Sequence, residues 1–554
     1  FIIGWRVAKK MDINKIIEKM TLDEKLDMLS GKNNWQTRDM EQYGISSIFM
    51  ADGPCGLRKQ TGQGDHLGIE DSIPATAAVS GGCLAATWNP ACAFDNGALL
   101  GKEASAADVD LLLAPAMNIV RTPLCGRNFE YFSEDPYLAG ELAAAYVKGV
   151  QSTGTGACVK HFAANNQETE REYIDAKIDE RTFREIYLPA FEKAICEGKP
   201  MAVMTALNQV NGIYCSQNPY LLTEILRKEW GFEGITISDW YGVVSRMLAV
   251  KAGLDLEMPG NDGVGRSQLK SAVNSGELKM EYIDRACQRI LTVVERLGEN
   301  RRKEKYVSSE ALFKENHQKC REIAEEGIVL LKNEENVLPL APEETIAVIG
   351  RFAKEPIMTL SGSARVISTA CDIPLEHICA FAPGKVFYAQ GFCEETQEYI
   401  GNERYLKKEQ ELVKEALSLA KSCDKVVFFM GQAAGAEMEG HDRSCLSMPL
   451  NQIQLLEKIV SVNKKIIVVL SNASPVEMPW ESMVSGIFEA FIAGQGFGRA
   501  IARLLYGDVT PSGRLPVSFT KCIEDTSADI NFPGDGRTVS YGEGVFVGYR
   551  YYDR

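Results

Sequence analysis

Histidine is scarce. Five residues, His66, His161, His317, His377 and His441, stand far apart in 554, so no HxxxH or Cys/His spacing is present and no metal is expected. A phosphate cradle is missing too. Ser361-Gly-Ser-Ala-Arg365 lacks a Gly-Lys-Ser/Thr ending, and Gly350-Arg-Phe-Ala353 is an incomplete dinucleotide fingerprint, so no cofactor is expected. Basic charge is short: 60 Lys and Arg against 75 Asp and Glu leave a net charge of −15, which opposes nucleic acid and anionic membrane surfaces as partners. There is no apolar run long enough to span a bilayer. Phe1 to Lys10 carries a short apolar start and then Arg6, Lys9 and Lys10, without the apolar centre of a signal peptide, and Met11 reads as a natural start. The fifteen cysteines are scattered without CxxC pairs, a usage expected of reduced thiols in the cytoplasm. Oligomeric state is open, and a homo-oligomer is compatible with the sequence.

What is present is a recurring pattern. The spacing of Ile13, Ile16, Ile17, Met20, Leu22, Leu26 and Leu29 predicts an entry helix or two, with a cap at Thr21-Leu-Asp-Glu24. Short apolar runs then end in polar loops: Ile45–Met50 before Asp52, Leu111–Ala114 before the loop holding Arg127, Ala157–Val159 before Lys160 and His161, Ala202–Thr205, and Ile235–Ser238 before Asp239 and Trp240. Helical stretches such as Leu138–Gln151 and Arg181–Glu197 lie between them. Alternation of this kind predicts a parallel sheet with crossover helices, and over about 300 residues a (β/α)8-barrel-like domain, residues 12–298, with its chemistry at the strand ends. A polar linker follows at 299–315. Residues 316–554 resume the alternation as a doubly wound α/β sandwich domain, with a helix at Asn316–Leu331 and strands at Thr345–Gly350, Lys425–Gly431, Lys465–Ser471 and Gly486–Ala493.

Cleaving a glycosidic bond needs two carboxyl groups of different character, one ionised and one protonated. Asp239, delivered by its strand, suits the first. Glu437 and Glu439, in the Gly-rich loop Gln432 to Arg443, are candidates for the second. Lys160 and His161 beside Asn165-Asn-Gln-Glu168, and Asp52 on a Gly-Pro loop, offer the mixed donors and acceptors that sugar hydroxyls need, and a nearby cation keeps a carboxylate ionised.

At this point the chain resembles the family-three glycoside hydrolases, the β-glucosidase family, from about Met11 to Arg554. The resemblance rests on several strings in one order: Ala51-Asp-Gly-Pro-Cys-Gly-Leu-Arg58, Gly126-Arg-Asn-Phe-Glu-Tyr-Phe-Ser-Glu-Asp-Pro136, Lys160-His-Phe-Ala-Ala-Asn-Asn-Gln-Glu168, Ile237-Ser-Asp-Trp240, Gly253-Leu-Asp-Leu-Glu-Met-Pro259 and Pro511-Ser-Gly-Arg-Leu-Pro516. It implies an exo-acting retaining β-glycosidase acting on small β-glycosides or oligosaccharides. Asp239 is then the nucleophile and Glu439 the acid/base, with Glu437 the fallback. It also implies that Asp52, Arg127, Lys160, His161, Arg171, Met204, Trp240 and Ser363 line the pocket for the terminal sugar. Ala163-Ala164 after Lys160-His-Phe disfavours the family's N-acetylglucosaminidase branch. Two departures stand out: Leu207 replaces a Tyr placed to hydrogen-bond the nucleophile, and the chain ends before the segments that often follow Tyr541–Asp553. The alternatives are a catalytically impaired sugar-binding or sensing protein of the same fold, a β-xylosidase-type specificity, and a phosphorylase variant, which phosphate-dependent turnover would reveal.

Leu207→Tyr, assayed beside the native chain on a panel of aryl β-glycosides, should restore a donor to Asp239 and move the acidic limb of the pH profile to lower pH. An unmoved limb would show that the missing hydroxyl does not control the carboxylate.

Overall fold

The computed structural model describes residues 11–553 except 62–63, 66–70, 261–262, 301–305, 395–402 and 433–434. The readings made of Phe1 to Lys10, of His66 and of the linker's 301–305 lie outside the described residues.

The entry segment folds as two short helices, Ile13–Lys19 and Leu22–Met28, and the expected cap is present: the Thr21 hydroxyl accepts from the Glu24 N–H while the Glu24 carboxylate accepts from the Thr21 N–H. Five parallel strands follow in spatial order Met50–Asp52, Leu111–Leu113, Gly156–Phe162, Ala202–Thr205 and Ile235–Ser238. Spatial order matches chain order because helices such as Pro90–Ala106 and Pro136–Ser152 return the chain along the outside. Every residue of these strands is buried, which suits a parallel sheet covered on both faces.

Single bridges carry the layer onward from Ile237 to Leu256, from Glu257 to Ser30, and from Gln36 to Phe49. Met50 N–H donates to the Trp35 carbonyl at 2.8 Å, so the layer returns to its first strand as a barrel-like wall. Side chains alternate across it. Met50, Leu111, Leu113, Cys158, Met204, Ile235 and Ile237 fall in one apolar cluster. The intervening Ala51, Leu112, Ala157, Val159 and Val203 fall in another, shared with the helices Pro90–Ala106 and Pro136–Ser152.

The second domain is a six-stranded mixed sheet in the order Val386–Ala389, Ile346–Ile349, Lys425–Gly431, Ile466–Ser471, Gly486–Glu489 and Val329–Asn333, the last antiparallel. Here the structure corrects the sequence reading of a helix through Asn316–Leu331. The helix runs Glu310–Gly327, and 329–333 is an edge strand. Gly327 packs so closely that a Cβ would lie 2.3 Å from the Cys83 carbonyl oxygen, and Val329–Asn333 beyond it pairs with the sheet. The strand read as Gly486–Ala493 is also shorter, ending at Glu489.

A small four-stranded sheet ties the domains together. Thr538–Ser540 from the end of the chain pairs with Asp175–Lys177, which neighbours Gln209–Val210 and Ile213–Tyr214. No described helix is long and apolar enough to cross a membrane.

A tight approach between the domains is at Gly126, where a Cβ would lie 1.9 Å from the His441 carbonyl oxygen and 2.4 Å from that of Met438. Gly126→Ala should therefore lower stability by about 1–3 kcal/mol, read from the urea midpoint. A midpoint equal to that of the native chain would show that this contact yields freely.

Candidate active site

The strand ends of the first domain converge on one cavity of about 180 Å³, lined by Asp52, Arg127, Lys160, His161, Arg171, Met204, Asp239 and Trp240 together with Ser363 and Glu439 from the second domain. All ten residues expected from the sequence are thus brought together. Asp52 closes its strand, and its Oδ1 accepts from Lys160 Nζ at 3.2 Å while Arg58 Nη1 stands 3.6 Å from Oδ2. Burial pulls the pKa of Lys160 down, but Asp52, Glu130 and Glu439 together outweigh it and raise the pKa, so it stays charged. His161 is the reverse case. Burial pushes its pKa well down, helped by Arg127, Lys160 and Arg171, so the imidazole is neutral, with Nε2 3.8 Å from Asp239 Oδ2.

Asp239 follows Ile235–Ser238 directly, and its Oδ1 accepts from the Trp240 N–H at 2.7 Å. Trp240 is anchored in turn: its Nε1 donates to the Asn34 carbonyl at 3.1 Å, and its ring lies 5.4 Å from that of Trp35. Arg127 is fixed from behind by Glu130, to which Nε and Nη2 donate at 2.7 and 3.0 Å.

Glu439 reaches the cavity from a tight loop of the second domain in which Met438 bridges His441. Its Oε1 accepts from Arg171 Nη1 at 3.0 Å and faces Arg127 Nη1 at 3.6 Å, and its Oε2 accepts from the Ser363 N–H at 2.7 Å. Gly362 makes room for it, since a Cβ there would lie 2.8 Å from Glu439 Oε2 and the residue has φ +83°. Glu437, two residues away, turns from the cavity. Its oxygens accept from the Ala473 and Ser474 N–H groups, both at 2.8 Å, and Arg443 Nη1 is 3.4 Å away.

Asp239 and Glu439 keep 16% and 15% of their side-chain surface exposed, enough to touch a bound molecule. Their ionisation differs. Burial raises the pKa of Asp239 against the pull of Arg127, Arg171 and Lys160. Glu439 is buried too, but Arg127, Arg171 and the Ser363 hydrogen bond overcome the burial and hold it below the ordinary carboxylate range. Two carboxyls whose surroundings push their pKa values in opposite directions, both open to the same space, are equipped for acid/base and nucleophilic chemistry on one bond.

Sequence reasoning missed Trp35, Glu172, Tyr214, Tyr241 and Val244, which also line the cavity, and Leu207, noted only as a departure, lines it as well. Tyr214 comes from a two-residue strand and the others from loops, none long enough to show periodicity. The sole available signal was the clustering of aromatic residues near the motif strings.

A polar pocket at the strand ends of a barrel-like α/β domain, completed by a carboxylate loop from a second α/β domain, defines a two-domain glycoside hydrolase. Residues 33–293 match the glycosyl hydrolase family 3 N terminal domain and residues 328–549 match the family's C-terminal domain. The chain belongs to glycosyl hydrolase family 3. It is 46% identical over 545 residues to thermostable beta-glucosidase B of Acetivibrio thermocellus, covering 98% of this chain and 70% of that protein. It is 39% identical to the exo-alpha-(1->6)-L-arabinopyranosidase of Bifidobacterium breve, covering 97% and 70%. Among solved structures, beta-glucosidase 3B of Thermotoga neapolitana in complex with alpha-D-glucose superposes with a TM-score of 0.86 at 36% identity, covering 98% of this chain and 81% of that one.

Removing the Glu437 carboxylate strands two buried N–H groups and the Arg443 guanidinium. Glu437→Ala should therefore lower stability by about 2–4 kcal/mol, seen as a lower thermal midpoint. An unchanged midpoint would show that these groups find other partners.

Proposed function

We propose that this hydrolase is an exo-acting retaining β-glycosidase, a β-glucosidase, that removes terminal non-reducing β-linked sugars through a covalent glycosyl-enzyme intermediate. The observation that carries the reading is that Asp239 and Glu439, from different domains, open onto one small cavity already lined by Asp52, Lys160 and His161. A cavity of this size, closed behind by buried strand ends, suits one sugar ring at a chain end.

In the first step an Asp239 oxygen attacks the anomeric carbon, the bond from that carbon to the leaving oxygen breaks, and Glu439 gives its proton to that oxygen. In the second, Glu439 takes a proton from water, whose oxygen displaces Asp239. The Asp52 carboxylate, the charged Lys160 and the neutral His161 hold the sugar hydroxyls. Arg127 and Arg171 balance the carboxylates, Met204 and Trp240 supply apolar contact, and Ser363 orients Glu439 through its N–H. No cofactor enters either step.

The first step requires Asp239 ionised and Glu439 protonated. In the unliganded site Arg127 and Arg171 favour the opposite placement of the proton. The two carboxyls titrate as a coupled pair, so turnover needs the proton to shift to Glu439.

We further assign the catalytic (β/α)8 or TIM barrel to 12–298, a linker to 299–315 and the acid/base domain to 316–554, on the strength of the ring of strands and bridges in the first part. A cytoplasmic location is supported by fifteen cysteines that all stand unpaired. Small β-glycosides or oligosaccharides are the assigned substrates, and relatives named for glucosides and for an arabinopyranoside leave glucose and pentopyranose donors to be compared directly.

Asp239→Ala should reduce turnover of an aryl β-glucoside by at least about a thousandfold; a loss of only a few fold would remove Asp239 as nucleophile. Glu439→Ala should regain turnover of an activated aryl glucoside when azide is added, with a β-glycosyl azide as product. An α-azide, or no rescue, would overturn the retaining assignment.

A further inference from the structure

Glu168 sits directly behind the proposed acid. Its side chain has no exposed surface. Its Oε2 accepts from Arg171 Nη1 at 2.7 Å and from the Gly440 N–H at 2.7 Å, while its Oε1 is buried without a partner. The same Arg171 nitrogen reaches Glu439 Oε1 at 3.0 Å, so one N–H-bearing atom serves two carboxylates. Arg127 cannot relieve this, because Nε and Nη2 are committed to Glu130 and only Nη1, at 3.6 Å, faces Glu439.

We propose that Glu168 is a positioning residue for proton transfer: it competes with Glu439 for Arg171 and so decides when Glu439 carries the proton that the departing sugar oxygen receives. The proposal rests on Glu439 acting as the acid/base. With Glu168 charged, Arg171 is shared and a second negative charge stands close to Glu439, which favours a proton on Glu439. With Glu168 neutral, Arg171 belongs to Glu439 and holds it ionised. Burial pushes Glu168 up to about 7 against Arg171 and Arg127, and the charge of Glu439 adds to the rise, so this carboxyl changes charge in the neutral range. The other groups facing the pair are Cys125 and Tyr131 from the loop that carries Arg127, Lys160 from its strand, Asp442 from the second-domain loop, and Asp239 opposite Arg171.

Glu168→Gln keeps the size and an acceptor for Gly440 while removing the charge. Its kcat/KM profile should lose its basic limb at lower pH, by about one unit, and an alkyl β-glucoside, whose leaving group needs the proton, should slow at least about tenfold more than a dinitrophenyl β-glucoside, whose leaving group does not. Glu168→Asp, which retains the charge, should keep the limb closer to that of the native enzyme. A basic limb in Glu168→Gln equal to the native one, or equal losses on both substrates, would overturn the proposal and leave Glu168 a purely structural contact. If Glu168→Gln does not fold, Glu168→Asp decides alone: a smaller shift in the same direction supports the proposal and an unmoved limb overturns it. Azide rescue of Glu439→Ala, run in parallel, keeps the two readings apart, because its failure removes Glu439 as the acid whatever the Glu168 profiles show.

Discussion

The position of the loop that carries Glu439 depends on one buried carboxylate, Asp442. Its oxygens accept from the N–H groups of Gly126 at 3.0 Å, Glu168 at 2.9 Å and Thr169 at 2.8 Å, and from the Thr169 hydroxyl at 2.7 Å. The first domain answers with the Glu168 carboxylate on the Gly440 N–H. Each domain thus places an anion on the other's backbone, and hydrogen bonds to a charged acceptor are among the stronger ones. Two hydrogen-bonded anchors just after Glu439, at Gly440 and Asp442, leave that loop little freedom, and the Gly126 contact removes the space into which it could retreat.

Charge is the second constraint. Glu130, Glu168, Asp239 and Glu439 gather around Arg127 and Arg171. Carboxylates outnumber guanidiniums, and burial makes every uncompensated charge costly. Burial raises Glu168 and Asp239 against the pull of the guanidiniums, whereas at Glu439 Arg127, Arg171 and the Ser363 N–H win over burial. Glu439 accepts from Arg171 and Ser363, and Asp239 accepts from the adjacent N–H.

The strand-end residues were legible because apolar runs that stop at charged residues recur along the first domain, and their recurrence favours strand ends over the isolated helix cap that Asp239 alone would suggest. Asp52, Lys160, His161 and Asp239 all follow such runs. The choice between Glu437 and Glu439 was not open to the same reasoning. The two lie two residues apart in a loop without period, and only the turn through Gly440, with φ +84°, and the Met438–His441 bridge decide that one faces the cavity and the other the Ala473 and Ser474 backbone. The return of the barrel-like layer through Leu256, Glu257, Ser30 and Gln36 was hidden for a related reason. Single bridges leave no alternating pattern. The helix ending at Gly327 was overrun because the following apolar residues suit a helix face as well as an edge strand, and the carbonyl of Cys83, more than two hundred residues earlier, makes the decision.

That Asp239 and Glu439 belong to separate domains has a consequence for the life of the chain on the ribosome. Domains emerge and fold in order, the N-terminal one first. A nascent chain can build the barrel-like layer and present Asp239 in a sugar-sized hollow well before Glu439 has been synthesised, and later still before Thr538–Ser540 joins Asp175–Lys177. Through that interval the chain presents Asp239 without Glu439, and the two carboxylates share one cavity only once the second domain has folded back onto the first.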